Sequence, residues 1–373
     1  MAVKPPDPGR TRRVLVVDDS AFARRALVSM IRSQPGFEVA ASAVDGEEAI
    51  RLTLRHRPDL IVLDLELPRV GGLGFLRWLM RHHPVPVLVV TGARGGREVF
   101  RALEMGAVDF LLKPSARASE NLLGMREELV RKLLAIRGLT GNAWGGAARP
   151  LRAPPPAPDA CVRAPGKEPP LVVIGASTGG PPALQFLLAA LPPGWPGSIV
   201  VAQHMPALFT RIFAERLDRL VPLEVGEARE GEALRPGCCL ILPGGQQGSL
   251  ERAGSGLVVR LRERREAERY APSVDLLFTS AAAAAGERVT AVVLTGMGDD
   301  GAEGVGRVRQ AGGRTLAEAA ETAVVFGMPQ VAIRTGQVSE VLGLEGIARL
   351  LGSLVSSAPE LAGVDGDRRG RPV

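Results

Sequence analysis

Short apolar runs alternate with stretches of helical spacing along most of this chain, the βα pattern of parallel sheets covered on both faces. In the first third the pattern predicts strands near 14–18, 38–43, 60–64, 87–90 and 108–111, with helices between them. Ser20 can cap the first helix, and Gly46, Gly71 and Gly95 mark the starts of the next three. Five such units fit a flavodoxin-like doubly wound domain over 11–135.

Periodicity stops near Ile136, and the Gly-, Pro-, Ala- and Arg-rich segment 136–169 reads as a flexible linker in which Trp144 is expected to face solvent. Alternation then resumes, with strands near 171–175 and 198–202 and a helix over about 207–220. Short β-rich segments near 238–242 and 257–261, divided by Gly-rich turns, predict an antiparallel extension on the sheet. Ser273 can cap a helix through the alanine run, a strand is expected over 291–295, and a last helix over 346–356. The expected fold class is α/β: a flavodoxin-like domain, then a second doubly wound, mostly parallel domain over 170–357 with a small antiparallel extension. The polar tail 358–373 is expected to be disordered.

With 373 residues and 46% apolar content, the chain can bury two cores. The net charge of +6 is scattered rather than gathered in one stripe, so nucleic acid is not an expected partner. No run approaches membrane-spanning length, and the basic, proline-rich start lacks the apolar core of a signal peptide. A cytoplasmic protein without membrane insertion is expected. Cys161, Cys238 and Cys239 make no metal-ligand spacing and fit a reducing compartment.

Doubly wound sheets carry their sites at the strands' carboxyl ends. In the first domain those ends hold Asp18 and Asp19, Asp64, Thr91 and Lys113. Three carboxylates converging in one crevice repel unless a cation sits among them, and hard oxygen ligands suit Mg²⁺. Asp64 is then a candidate phosphoryl acceptor, with Lys113 pairing with the phosphoryl group and Thr91 hydrogen-bonding it. Each residue alone could equally be a cap or a solvated charge. The segments VLVVDDSAFARR, VLDLELPRVGGLGFL, VLVVTGARGG and EMGAVDFLLKP resemble the receiver domain of two-component response regulators. Gly71 stands where many receivers have aspartate, and Phe110 occupies the position of the aromatic that such domains reorient on phosphorylation.

In the second domain LVVIGASTGG places Gly175-Ala176-Ser177-Thr178-Gly179 after a buried strand, a G-x-S-x-G turn with Ser177 as candidate nucleophile. A serine needs a base, and His204 is this region's only histidine, lying just after the strand in SIVVAQHMP. A carboxylate must orient it, and Asp299 or Asp300 follows the strand in AVVLTGMG; either could instead cap the next helix. The order serine, histidine, aspartate differs from that of α/β-hydrolases, and GASTGG lacks dinucleotide-binding spacing. Cys238 and Cys239 sit in an apolar strand without a local activator.

IGASTGGP, VVAQHMP, YAPSVDLLF, LTGMGDDGAEG and AVVFGMP together resemble the catalytic domain of chemotaxis protein-glutamate methylesterases. The resemblance implies a triad of Ser177, His204 and Asp300, with Thr178 and the Met297 backbone beside the oxyanion position. It implies hydrolysis of glutamate methyl esters and deamidation of some glutamines on methyl-accepting chemoreceptors, without a cofactor for the hydrolysis. The phosphodonor would be the histidine kinase of that pathway. Gln246, Gln247 and Ala271 depart from the family pattern and bear on substrate contacts. The alternative is a response regulator whose second domain only binds a partner.

Overall fold

The computed structural model describes residues 10–92, 95–113, 119–139 and 169–354. Most of the expected linker, with Trp144 and Cys161, and the tail 358–373 lie outside those residues.

The first unit runs β1 (Arg12–Val17), α1 (Ala21–Arg32), β2 (Phe37–Ala43), α2 (Gly46–His56), β3 (Leu60–Asp64), α3 (Gly72–His82), β4 (Val87–Thr91), α4 (Gly96–Glu104), β5 (Asp109–Leu112) and α5 (Ser119–Ile136). Its five strands form a parallel sheet in the order β2-β1-β3-β4-β5. Alternate β1 residues serve opposite faces: Val14 and Val16 pack with Leu129 and Leu133 of α5, whereas Leu15 and Val17 join the cluster around Phe75 and Leu76 of α3. As the sequence predicts, Ser20 caps α1, while α2 is capped by Asp45 immediately before Gly46.

The second unit runs β6 (Leu171–Ala176), α6 (Gly180–Ala189), β7 (Ser198–Gln203), α7 (Ala207–Asp218), β8 (Glu224–Glu227), β9 (Cys238–Ile241), β10 (Gln246–Ala253), β11 (Gly256–Glu263) and α8 (Val274–Ala285). It continues through β12 (Val289–Val293), α9 (Ala302–Gln310), β13 (Arg314–Glu318), α10 (Met328–Arg334), β14 (Glu340–Leu342) and α11 (Leu344–Ser353). Seven strands form a second sheet in the order β14-β13-β12-β6-β7-β9-β8, parallel at every pairing.

One expectation needs correction. The segment at Cys238 is not part of the antiparallel extension: β9 pairs in parallel with both β7 and β8. The antiparallel piece is β10 with β11, a separate two-stranded sheet. A short apolar run looks the same in either direction, and the partner that fixes the direction is distant in sequence.

The two units share one apolar cluster, which runs from α3 and α4 into α6 and α7. Phe110 of β5 meets Phe209 with centroids 4.6 Å apart, and Phe100 stacks on Phe213 at 5.3 Å. Gly96 allows α4 to approach, since a Cβ there would meet Ile212 Cδ1 at 2.4 Å. Arg216 and Glu104 pair at the rim. Both sheets therefore hold their carboxyl ends in fixed relation, the first with its crevice between β1 and β3, the second with its crevice where β6 adjoins β12 and β7.

Candidate active site

In the receiver-like crevice, ligand atoms of Asp18, Asp19 and Asp64 lie within 4.8 Å of one another. Lys113 Nζ stands 2.7 Å from Asp18 Oδ2 and 2.6 Å from Asp64 Oδ2. Burial pushes the Asp64 carboxyl above its ordinary value against the pull of Lys113. For Lys113, burial acts downward, but its contacts with Asp18 and Asp64 outweigh it and raise the ammonium. One ammonium does not balance three carboxylates. The oxygen donor set, with Asp19 exposed at its mouth, fits a divalent cation of the Mg²⁺ kind. Thr91 is fully buried at the end of β4, and its carbonyl accepts the Lys113 N–H at 2.8 Å. A Cβ on Gly95 would meet the Thr91 hydroxyl at 2.2 Å, which accounts for glycine there. Phe110 does not border the carboxylates; it is buried against Phe209 of the second unit.

At the second crevice Ser177 leaves β6 in a tight turn. Its N–H donates to the Thr295 carbonyl at 3.1 Å, its carbonyl accepts from Gly180 N–H at 2.8 Å, and Gly179 takes a φ of +81°. That turn is locked from β7. Gln203, buried, donates through Nε2 to the Ser177 carbonyl at 2.9 Å and to the His204 carbonyl at 3.1 Å. One amide thus sets the spacing of two neighbouring strand ends.

His204 Nε2 meets Asp300 Oδ2 at 2.8 Å. The same carboxylate accepts from the N–H groups of Val274 at 2.8 Å and Asp275 at 2.9 Å and from the Ser273 hydroxyl at 3.0 Å. Burial alone would raise the Asp300 carboxyl, but His204 and these N–H groups outweigh it and hold it below its ordinary value. Asp300 therefore serves the N-terminus of α8, and neither aspartate caps α9, where Gly301 takes the N-cap position with no side-chain bond. With Nε2 engaged by a carboxylate, Nδ1 is the imidazole nitrogen left to exchange a proton in the cleft that Ser177 shares. Asp299 turns the other way, exposed, and accepts from the Tyr270 hydroxyl at 3.0 Å.

Ser177, Thr178, His204 and Met297 line one cleft of about 300 Å³, to which Glu128 and Lys132 of α5 contribute from the first unit. Because the Ser177 N–H is committed to Thr295, oxyanion donors have to come from later backbone N–H groups, and Thr178 and Met297 are the predicted residues on this cleft. The Thr178 hydroxyl donates to Asp109 Oδ2 at 2.5 Å. Cys238 and Cys239 are buried, and burial pushes both thiols up, which leaves them poor nucleophiles.

Several residues with a part in this geometry carry no motif. Gln203 and Glu318 are polar residues closing apolar strands, a signal visible in the sequence; Glu318 Oε2, at the end of β13, accepts the N–H of Thr295 at 2.7 Å, and the Thr295 carbonyl accepts the Ser177 N–H. Gln247 is buried and bridges the Tyr270 carbonyl at 2.7 Å and the Ser273 N–H at 2.9 Å, so this departure from the family pattern fixes a loop rather than facing the cleft mouth. Ala271 lines the cleft itself.

A sheet with an acidic triad and lysine, joined to a second sheet with serine, histidine and aspartate at its carboxyl edge, defines a receiver coupled to a hydrolase-type domain. Residues 14–123 match the response regulator receiver domain, and residues 172–351 match the CheB methylesterase family. The protein-glutamate methylesterase/protein-glutamine glutaminase 3 of Geobacter sulfurreducens is 47% identical over 357 residues, covering 91% of this chain and 96% of that protein. Its counterpart numbered 1 in Myxococcus xanthus is 45% identical over 342 residues, with 91% and 96% covered. The crystal structure of the Thermotoga maritima CheB methylesterase catalytic domain is 39% identical, with a TM-score of 0.49, covering 51% of this chain and all (100%) of that one. The chain belongs to the CheB family of protein-glutamate methylesterases/protein-glutamine glutaminases.

Proposed function

We propose that this protein is a phosphorylation-regulated hydrolase that removes methyl groups from glutamate methyl esters on chemoreceptors and deamidates receptor glutamines, working in the cytoplasm for chemotactic adaptation. The observation that carries the reading is the 2.8 Å contact of buried Asp300 with His204, which lines one cleft with Ser177. Membership of the family supports it. No helix among the described residues is long and apolar enough to cross a membrane.

Ser177 Oγ attacks the ester carbonyl while His204 Nδ1 takes its proton, and backbone N–H groups at Thr178 and Met297 hold the oxyanion. His204 then gives the proton to the departing methanol, or to ammonia when the substrate is a glutamine. Water, deprotonated by His204, attacks the acyl-serine and releases glutamate and free Ser177. Asp300 holds the imidazole in the required tautomer and offsets its charge when protonated.

Regulation is assigned to the first domain, 11–135, joined through the linker 136–169 to the catalytic domain 170–357. A carboxylate oxygen of Asp64 attacks the phosphorus of a phosphohistidine on the pathway's kinase, and the bond to the histidine nitrogen breaks. Mg²⁺, held by Asp18, Asp19 and Asp64, would offset charge on the transferring group. Lys113 and Thr91 then pair with the new phosphoryl group, and the adjustment reaches Phe110. Because Phe110 packs on Phe209 and α5 lines the cleft that holds Ser177, loosening this face opens the cleft to a receptor helix.

The test is methanol release from methylated receptor membranes by Ser177→Ala, His204→Ala and the double variant. Each single change is expected to remove nearly all activity and the double to be hardly worse, because the residues act as a unit. Additive losses would overturn the triad.

A further inference from the structure

The Tyr270 ring lies over the His204 imidazole, with centroids 4.7 Å apart and planes 3° from parallel. Three further features hold it there. The Tyr270 hydroxyl donates to Asp299 Oδ1 at 3.0 Å, and the Arg269 guanidinium reaches the same oxygen at 3.2 Å while standing 4.9 Å from the Tyr270 ring centroid. Buried Gln247 pins the Tyr270 carbonyl at 2.7 Å. Gly298 takes a φ of +105°, and a Cβ there would meet the Tyr270 hydroxyl at 2.4 Å, so the backbone beside the two aspartates leaves room for the phenol.

We infer that Tyr270 is a positioning residue for His204, stacking on the imidazole so that the nitrogen facing Ser177 stays aligned. The inference rests on the serine-triad reading. A single contact to Asp300 fixes one edge of the imidazole but leaves rotation about that contact; a parallel ring 4.7 Å away removes the rotation. An electron-rich ring face also favours the imidazolium formed when His204 accepts the Ser177 proton. Asp299 and Asp300 thereby share the hold on one imidazole. Asp300 grips the histidine by its edge, and Asp299 grips the ring that covers its face.

The test measures sulfonylation of Ser177 by phenylmethanesulfonyl fluoride in the intact protein, a readout of nucleophile activation that needs no receptor. Tyr270→Leu is expected to react about tenfold more slowly, in line with the loss of alignment of a catalytic group. Tyr270→Phe, which keeps the stacked face, should restore most of the rate. On receptor substrate the Leu variant should lose kcat with little change in KM. Asp299→Ala, at an exposed position, should slow the reaction two- to threefold by freeing the ring. Tyr270→Leu reacting as fast as the wild type would overturn the inference and leave the triad standing. Tyr270→Phe as slow as Tyr270→Leu would overturn stacking as the cause. A wild-type protein that is not modified at Ser177 even with phosphodonor and Mg²⁺ present would remove the triad reading and this inference with it.

Discussion

The hydroxyl of Thr178, the residue next to the candidate nucleophile, donates to the Asp109 carboxylate at 2.5 Å, and Lys132 grips the same oxygen at 2.7 Å. Asp109 belongs to β5 and immediately precedes Phe110. The receiver therefore reaches the serine turn itself with a buried carboxylate, one residue from the ring that packs on Phe209.

A hydrogen bond to a charged group contributes about 1.5–3 kcal/mol, so its removal should weaken docking roughly tenfold or more. Asp109→Ala is expected to raise the receptor methylesterase rate of the unphosphorylated intact protein several-fold and to shrink the gain that phosphorylation brings. A fragment beginning near Pro165 sets the upper limit in the same assay. An unchanged basal rate in Asp109→Ala would remove this contact from the inhibitory face.

The adjacent aspartates should separate cleanly. Asp300→Asn is expected to lower turnover by roughly 10⁴-fold through the wrong imidazole tautomer. It should also cost about 1 kcal/mol of stability, because the charge that accepts from the first N–H groups of α8 is lost. Asp299→Asn, which can still accept from Tyr270, should stay within a few-fold of the wild type in turnover and melt at the same temperature. Steady-state rates and thermal melts of the two variants check both halves, and the reverse ranking would transfer the role to Asp299.

Glu318 carries a pH-dependent cost. It is fully buried at the end of β13 beside Thr295, and burial pushes its carboxyl up to about 7 against the pull of the Thr295 N–H. In the unfolded chain it titrates as an ordinary glutamate, so the native state binds the extra proton between the two values. Stability should fall as pH rises from the ordinary carboxylate range to about 7 and level off above it, by roughly 3 kcal/mol from this group. Asp275, raised by burial and by Asp300, adds a decline of the same sign in any variant that keeps it. Denaturant unfolding from pH 4.5 to 8.5 should give a shallower decline for Glu318→Gln than for the wild type; parallel curves would contradict the assignment.

The sequence shows the two sheets and their sites because both depend on short-range signals. Ser177 and His204 each close an apolar strand, and parallel sheets gather such ends on one edge; the same logic places Asp18, Asp64 and Lys113. What escapes is whatever depends on distant partners. Asp299 and Asp300 are neighbours with different partners, the Tyr270 hydroxyl for one and the His204 imidazole for the other, and spacing alone does not rank them. The direction of β9 is set by β7 and β8, and Tyr270 is 66 residues from the imidazole it covers, on a loop whose course depends on Gln247. Asp109 and Lys132 look like an ordinary strand start and helix surface until α5 is seen lining the cleft that holds Ser177.

The measurement that bears most directly on the central claim is methanol release from methylated receptor membranes by the intact protein, with and without a small phosphodonor and Mg²⁺, beside Asp64→Asn. The account predicts release that the donor accelerates in the wild type and leaves unchanged in Asp64→Asn. No methanol under either condition would contradict the esterase reading, and equal release with and without donor would contradict its control by the receiver.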